Sequence, residues 1–394
     1  MQKYCVGFTR AMIFVFILAL SIPGSAAENE QVSFGLITSL TGTNANLGQD
    51  MERGSRLALK RINAGYMVPM KNGEFKKIGP GLQGKSLNII VENTESRPQS
   101  AMDAVRKLVD VNKVPVVLGE FSSGITVPTG QFTNKKKVVH IAIGATSPKL
   151  RDIGPYFFNA IGLDDLAGKA TAQFALEDAK AKRFGSIVPN NPFGVGVELN
   201  TCKTVKKAGE NCVSTVRYEL KKSDYRSDIK SVFAPRPETV FFTAYGTEAR
   251  LILKQAYQLG KTSLVNWYAP YMTMWTNEVA EMPAIAEGIK GIVVGAEGDF
   301  YRKEYMEFYQ KEFKRLPATA FGAYAYDATM LAALAVKKAK STNPDALKSA
   351  LHEVSRNYKG VNGDKSFDQD GMQVMENYQR KIYQNGKLHD YTVK

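Results

Sequence analysis

The sequence predicts an α/β protein built of two doubly wound lobes, and three observations carry that prediction. Short β-rich runs alternate with helical stretches from Val32 onward, which is the rhythm of parallel sheets. The alternation continues long enough to fill two cores of ordinary size. No low-complexity linker or short tandem repeat interrupts it, as expected where two lobes share several crossing strands and hinge about the cleft between them.

In the first lobe, strands are expected at 32–39, 87–92, 114–119 and 138–143. Between the first two, 49–63 carries Met51, Ser55, Ala58 and Ile62 at helical spacing, and 98–112 repeats the pattern with Met102, Val105 and Val109. A second set follows "YFFNAIGLDD": a helix at 166–180, strands at 184–188, 213–218, 239–244 and 264–267, and helices at 195–207 and 247–259. One more strand at 291–294 precedes helices near 303–313, 323–338 and 344–354. The chain closes with Asn385 and Gly386 between alternating runs, as a type I′ hairpin turn requires.

Lys3 and Arg10 precede an apolar stretch at 11–22, which leads through Pro23 and Gly24 to the small trio Ser25, Ala26, Ala27. That is the pattern of a signal peptide over 1–27, too short to span a bilayer, so a soluble exported protein is expected. The net charge is +14, but the lysines are scattered and export separates the chain from nucleic acid. A basic solvated surface and no nucleic-acid partner follow. Of the three cysteines, Cys202 and Cys212 remain after processing, and an oxidising compartment favours a disulfide that ties a helix to the next strand. His140, His352 and His389 are too dispersed for a metal or catalytic cluster, and no cofactor is expected.

"GPGLQGKS", Gly79 to Ser86, satisfies the phosphate-loop pattern, yet it precedes a strand instead of following one and opening a helix. Its glycines are expected to shape a turn. There is no GxSxG elbow, no HExxH and no cysteine paired with a histidine, so the chain is not expected to be an enzyme. The stretch "VPVVLGEFSSGITVPTGQF" places Ser122 and Ser123 beyond a buried strand, where doubly wound sheets bind ligands and helix N-termini present unpaired amides. Capping of the next helix is the competing role for these hydroxyls. The next strand ends alike in Gly144, Ala145 and Thr146, and two such ends suggest a carboxylate cradle. The second lobe offers Phe193, Tyr245, Tyr268 and Tyr271 at its own strand ends, where rings can cover an apolar body.

These stretches resemble the solute-binding proteins of the branched-chain amino acid (Leu/Ile/Val) type, which feed an ABC permease from the periplasm. "FGLITSLTGTNANLGQDMERGSRLALKRINA" resembles the opening strand and helix of that family, "VLGEFSSGITVP" its serine-bearing turn and "GATSPKL" its next strand end. The resemblance implies a type I periplasmic binding fold with three crossovers. The lobes would comprise 28–162 with 298–372, and 163–297 with 373–394, the chain returning to the first near Asp299. It further implies that Ser123, Gly144 and Thr146 hold a ligand carboxylate, with Ser122 nearby, while Phe193 and Tyr245 close over the ligand from the second lobe.

Two departures bear on the ligand. No acid occurs from Ser263 through Asn277, where amino-acid binders of the family place the partner of the ligand's ammonium, although Asp164 or Asp165 could substitute. Leu47 stands where the family often has an aromatic, and Tyr268 is a further candidate contact. The expected function is therefore a monomeric binding protein for a small carboxylate-bearing solute, either an amino acid or an amine-free acid. A sensor of the same fold and an exported enzyme are the alternatives.

Overall fold

The computed structural model describes residues 1–2, 31–295, 300–374 and 376–393. The expected signal segment lies outside the described residues apart from Met1 and Gln2, and so does Asp299. Among the described residues no helix is long and apolar enough to cross a membrane.

The chain opens with β1 (Gln31–Thr38), α1 (Ala45–Ala64), a hairpin of β2 (Tyr66–Pro69) and β3 (Phe75–Ile78), and β4 (Ser86–Asn93). Next come α2 (Pro98–Arg106), β5 (Val116–Leu118), α3 (Ser123–Lys135), β6 (Val139–Ala142) and β7 (Phe157–Gly162). The second set runs α4 (Asp164–Ala179), β8 (Arg183–Pro189), α5 (Pro192–Lys207), β9 (Asn211–Tyr218), α6 (Arg226–Phe233), β10 (Thr239–Phe242), α7 (Gly246–Gln258) and β11 (Asn266–Ala269). Three short helices follow, α8 (Tyr271–Met274), α9 (Asn277–Ala280) and α10 (Pro283–Ala286), then β12 (Lys290–Val294). The remainder holds α11 (Phe300–Phe313), α12 (Phe321–Ala339), α13 (Pro344–Ser355) and the short β13 (Lys359–Gly360), β14 (Gly363–Asp364) and β15 (Met372–Gln373). It ends in β16 (Tyr378–Gln384) and β17 (Lys387–Asp390).

Two sheets organise these elements. The first, in the order β15-β7-β6-β5-β1-β4, is parallel throughout. The second, β17-β16-β12-β11-β10-β8-β9, is parallel up to β12 and closes with two antiparallel strands. The chain crosses between them after β7, between β12 and α12, and after β15, so the structure is a pair of doubly wound lobes joined by three crossovers.

Side-chain alternation explains the layers. Phe34 and Leu36 of β1 face α1 and α12, while Ile37 faces the cluster of Val105, Leu108 and Val117 on the other side. α12 is buried along Phe321–Val336, as a helix hydrophobic on all sides must be. α1 approaches it so closely that a Cβ on Gly54 would lie 1.8 Å from the Gly322 carbonyl oxygen. Prolines open α2, α5 and α13, where the missing N–H costs nothing. The disulfide joins Cys202 of α5 to Cys212 of β9, with 5.5 Å between Cα atoms.

The phosphate-loop match is a turn, with Gly79, Gly81 and Gly84 at positive φ before β4. The closing hairpin turns at Asn385 (φ 51°) and Gly386 (φ 73°), both left-handed as the type I′ geometry demands. Differences from expectation are local. The helix at 98–112 is α-helical only to Arg106 and continues through a wider π turn at Lys107–Val111. The run 157–162 is a full strand, and 271–286 forms three single-turn helices that no sustained period announces.

Candidate functional site

The carboxyl ends of β5 and β6 carry the first group of predicted residues. Ser123, the first residue of α3, is buried, and its Oγ accepts hydrogen bonds from the amides of Thr146 and Ser147, both at 3.1 Å. One hydroxyl thus straps two strand ends together while its own proton stays uncommitted. Ser122, at the N-cap of α3, makes no side-chain cap bond, so capping is not its role. Its amide is not free either. The buried Glu120 carboxylate accepts from the amides of Phe121 (3.1 Å) and Ser122 (3.0 Å) and from the hydroxyls of Ser39 (2.6 Å) and Thr94 (2.8 Å). Burial pushes the Glu120 pKa up, and these four donors oppose the rise.

Of the two adjacent serines, it is therefore Ser123 that links the β5 and β6 ends, while the Ser122 amide is committed to Glu120. At these two strand ends the amides of Ser123, Gly124 and Ala145 have no acceptor among the described residues, whereas that of Ser122 does. The Ala145 side chain packs into the apolar cluster with Leu150 and Leu163, leaving its main chain as the polar contribution. Gly144 leaves room for rings, since a Cβ there would lie 2.5 Å from Phe321 and 2.9 Å from the Phe121 side chain.

Across the cleft stand Phe193 and Tyr245, both buried, with ring centroids 5.6 Å apart. The Tyr245 hydroxyl accepts from Asn191 Nδ2 at 3.1 Å. Tyr271 is buried and packs on Trp275 at 5.1 Å, Trp275 meets Phe321 edge-on at 5.9 Å, and Phe321 meets Phe121 at 6.1 Å. A chain of four rings therefore spans from one lobe to the other. Leu47 joins Tyr245, Met272, Trp275 and Phe321 around a narrow cleft between the lobes. Phe121, Phe321 and Trp275 were not singled out from the sequence, because residues so far apart in the chain meet only through the fold.

Tyr268 does not belong here. Its hydroxyl binds Asp178 near the far end of α4, and its ring packs edge-on against Phe174 at 5.2 Å. The physical reason is strand alternation: Tyr268 lies on the α4 face of β11, and a period of two cannot choose between it and Trp267 when both are aromatic.

Asp164 and Asp165 differ sharply. Asp165 Oδ1 accepts the Leu166 amide at 2.9 Å and Oδ2 pairs with Arg151 at 3.3 Å. Asp164 is wholly buried, and among the described residues neither carboxylate oxygen has a hydrogen-bond partner. Its amide donates to the Thr146 carbonyl at 2.7 Å, fixing it beside the β6 end. Burial pushes its pKa well above the usual carboxylate value; the Thr146 hydroxyl, close by but without ordinary hydrogen-bond geometry, opposes the shift and Asp165 reinforces it. A Cβ on Gly196 of α5 would come within 2.6 Å of Asp164 Oδ2, so this glycine leaves the carboxylate its space. Among the described residues no group of His, Cys, Asp and Glu could hold a metal ion.

A model of the periplasmic binding protein family matches residues 31–386. The chain belongs to that family. It is 24% identical over 372 residues to a Leu/Ile/Val-binding protein homologue of Brucella abortus, covering 93% of this chain and 94% of that one. Among solved structures it is similar to a leucine-binding protein of Thermotoga maritima (21% identity, TM-score 0.79, 92% and 98% of the two chains covered). It is also similar to a solute-binding protein of an ABC transporter from R. palustris in complex with benzoate (18% identity, TM-score 0.77, 92% and 95% covered). These are binding proteins and not enzymes, and the fold is the type I periplasmic binding fold.

Proposed function

We propose that this protein is the exported, periplasmic binding component of an ABC importer and that its cargo is a zwitterionic amino acid with an apolar or aromatic side chain. The lobes would comprise 28–162 with 298–372 and 163–297 with 373–394, a division supported by the strand membership of the two sheets. The ligand carboxylate accepts from the free amides of Ser123, Gly124 and Ala145 and from the Ser123 hydroxyl, with Thr146 alongside. The side chain lies among Leu47, Tyr245, Trp275 and Phe321.

The observation that carries this reading is the orphaned carboxylate of Asp164. A buried acid without a partner costs several kcal/mol, and a ligand ammonium would supply both the missing charge and the missing donors. The Leu/Ile/Val-binding relatives are consistent with such a cargo. Contacts from the second lobe favour the closed form by differential affinity, which is the mechanism of capture.

A second reading, an amine-free aromatic acid, is favoured by the stretch 263–277, which holds no acid to meet an ammonium. In that case Asp164 would stay protonated and donate to the ligand. Calorimetric titration with L-leucine and L-phenylalanine, and in parallel with 4-methylpentanoate and benzoate, separates the two. Binding of the amino acids alone supports the first reading; binding of the acids alone overturns it.

A further inference from the structure

The third crossover carries a polar group that none of the foregoing uses. Tyr378 opens β16 and pairs with Val294, the last residue of β12, so it lies at the same edge of the second sheet as the strand ends bearing Phe193, Tyr245 and Tyr271. Among the described residues its hydroxyl is buried without a hydrogen-bond partner. Burial and the nearby Glu376, Tyr271, Asp164 and Asp165 raise its pKa, which keeps it a neutral phenol. Two residues earlier, Glu376 accepts the Gly162 amide and the Tyr324 hydroxyl, both at 2.8 Å, and so fastens the third crossover to the first, two residues before Asp164. Gly162 permits that approach, since a Cβ there would lie 3.0 Å from Glu376 Cβ. Two buried polar groups without partners, one from each crossover, therefore share one neighbourhood.

We infer that Tyr378 is a ligand-binding residue whose phenol oxygen shares the ammonium of the bound amino acid with Asp164. This rests on the amino-acid reading above. An ammonium brings three N–H donors, and one carboxylate seldom satisfies all of them in a buried site. The phenol oxygen accepts one of them, and as a neutral phenol it does so without adding a second charge to the site. The contact also joins the cargo to the hinge, because the residue that touches it sits on a segment crossing between lobes.

The test is Tyr378→Phe in the mature chain, with L-leucine and L-phenylalanine titrated by calorimetry and the melting temperature of the empty protein measured first. The variant is expected to melt no lower than the wild type, because it removes only an unpartnered hydroxyl, and to bind the amino acids roughly ten- to hundred-fold more weakly. Affinity within two-fold of the wild type overturns the inference, as does a lowered melting temperature that accounts for the whole loss. Should the wild type bind neither amino acid, the functional reading fails and this inference with it, an outcome visible before any variant is made.

Discussion

Replacing Asp164 with Asn tests both the electrostatics and the cargo. In the empty protein the carboxylate is buried without a partner, and its pKa stands above the usual 3.8. A raised acid pKa leaves stability intact below the unfolded value and erodes it as pH climbs through the folded value. Asn cannot ionise, so the variant should melt at the same temperature as the wild type near pH 4 and at a higher one at neutral pH. Binding moves in the opposite direction. With Asp164 neutralised, the ligand ammonium enters a buried site lacking its counter-charge, at a cost of about 3 to 5 kcal/mol, or roughly 150- to 5,000-fold in Kd. The wild type should also release protons on binding an amino acid, because the ammonium restores ionisation of Asp164. Scanning fluorimetry across pH, and calorimetry in two buffers of different ionisation enthalpy, read all three effects. An Asp164→Asn protein that binds an amino acid within five-fold of the wild type, or melts lower at neutral pH, refutes the reasoning.

Ser123→Ala should lower stability by about 2 kcal/mol in urea titrations as well as weaken binding, because it orphans the amides of Thr146 and Ser147. Ser122→Ala, which breaks no cap bond, should stay within about 0.5 kcal/mol. His140 is buried between the Gly119 carbonyl (2.6 Å) and the Thr133 hydroxyl (3.1 Å), and burial pushes its pKa down to about 4 from 6.5, against the Gly119 bond. Its contribution is complete above pH 6.5 and lost as pH falls through 4, about 3 kcal/mol in all. The urea midpoint should follow that curve, and His140→Gln should flatten it. Of the two tryptophans, Trp267 is buried against Phe233 and Phe242 while Trp275 lines the cleft. A ligand-dependent change in fluorescence should survive Trp267→Phe and vanish in Trp275→Phe.

The fold was legible wherever a period repeats over several turns. β1, α1 and β4 follow from alternation and helical spacing, and the Asn385–Gly386 turn from its demand for two positive φ angles. What stayed hidden has one physical origin, namely that the deciding contact is long-range. Glu120, at the end of an apolar run, reads as a polar strand terminus, and only the fold brings Ser39 and Thr94 to its carboxylate. Asp164 and Asp165 are indistinguishable by position, and Arg151 divides them by claiming one and leaving the other bare. The serine pair could be placed beyond its strand from the sequence, but which of the two amides remained free depended on a carboxylate that the sequence placed next to them without saying where it pointed.

The ring chain from Phe121 through Phe321 and Trp275 to Tyr271 bears on how closure and selectivity are linked. Each contact is worth about 0.5 to 1.5 kcal/mol beyond its area, but only the Trp275–Phe321 pair joins the two lobes. That pair therefore contributes to the closed state alone, whereas Phe121–Phe321 and Tyr271–Trp275 persist in either state. A cargo that packs beside the joint without displacing it adds its own contacts to closure. One bulky enough to part the rings forfeits that increment and must recover it elsewhere. On the proposed reading, the upper limit on cargo size is thus set by the span between Phe321 and Trp275, while the charged ends of an amino acid would be read nearer the crossovers, at Ser123 and Asp164.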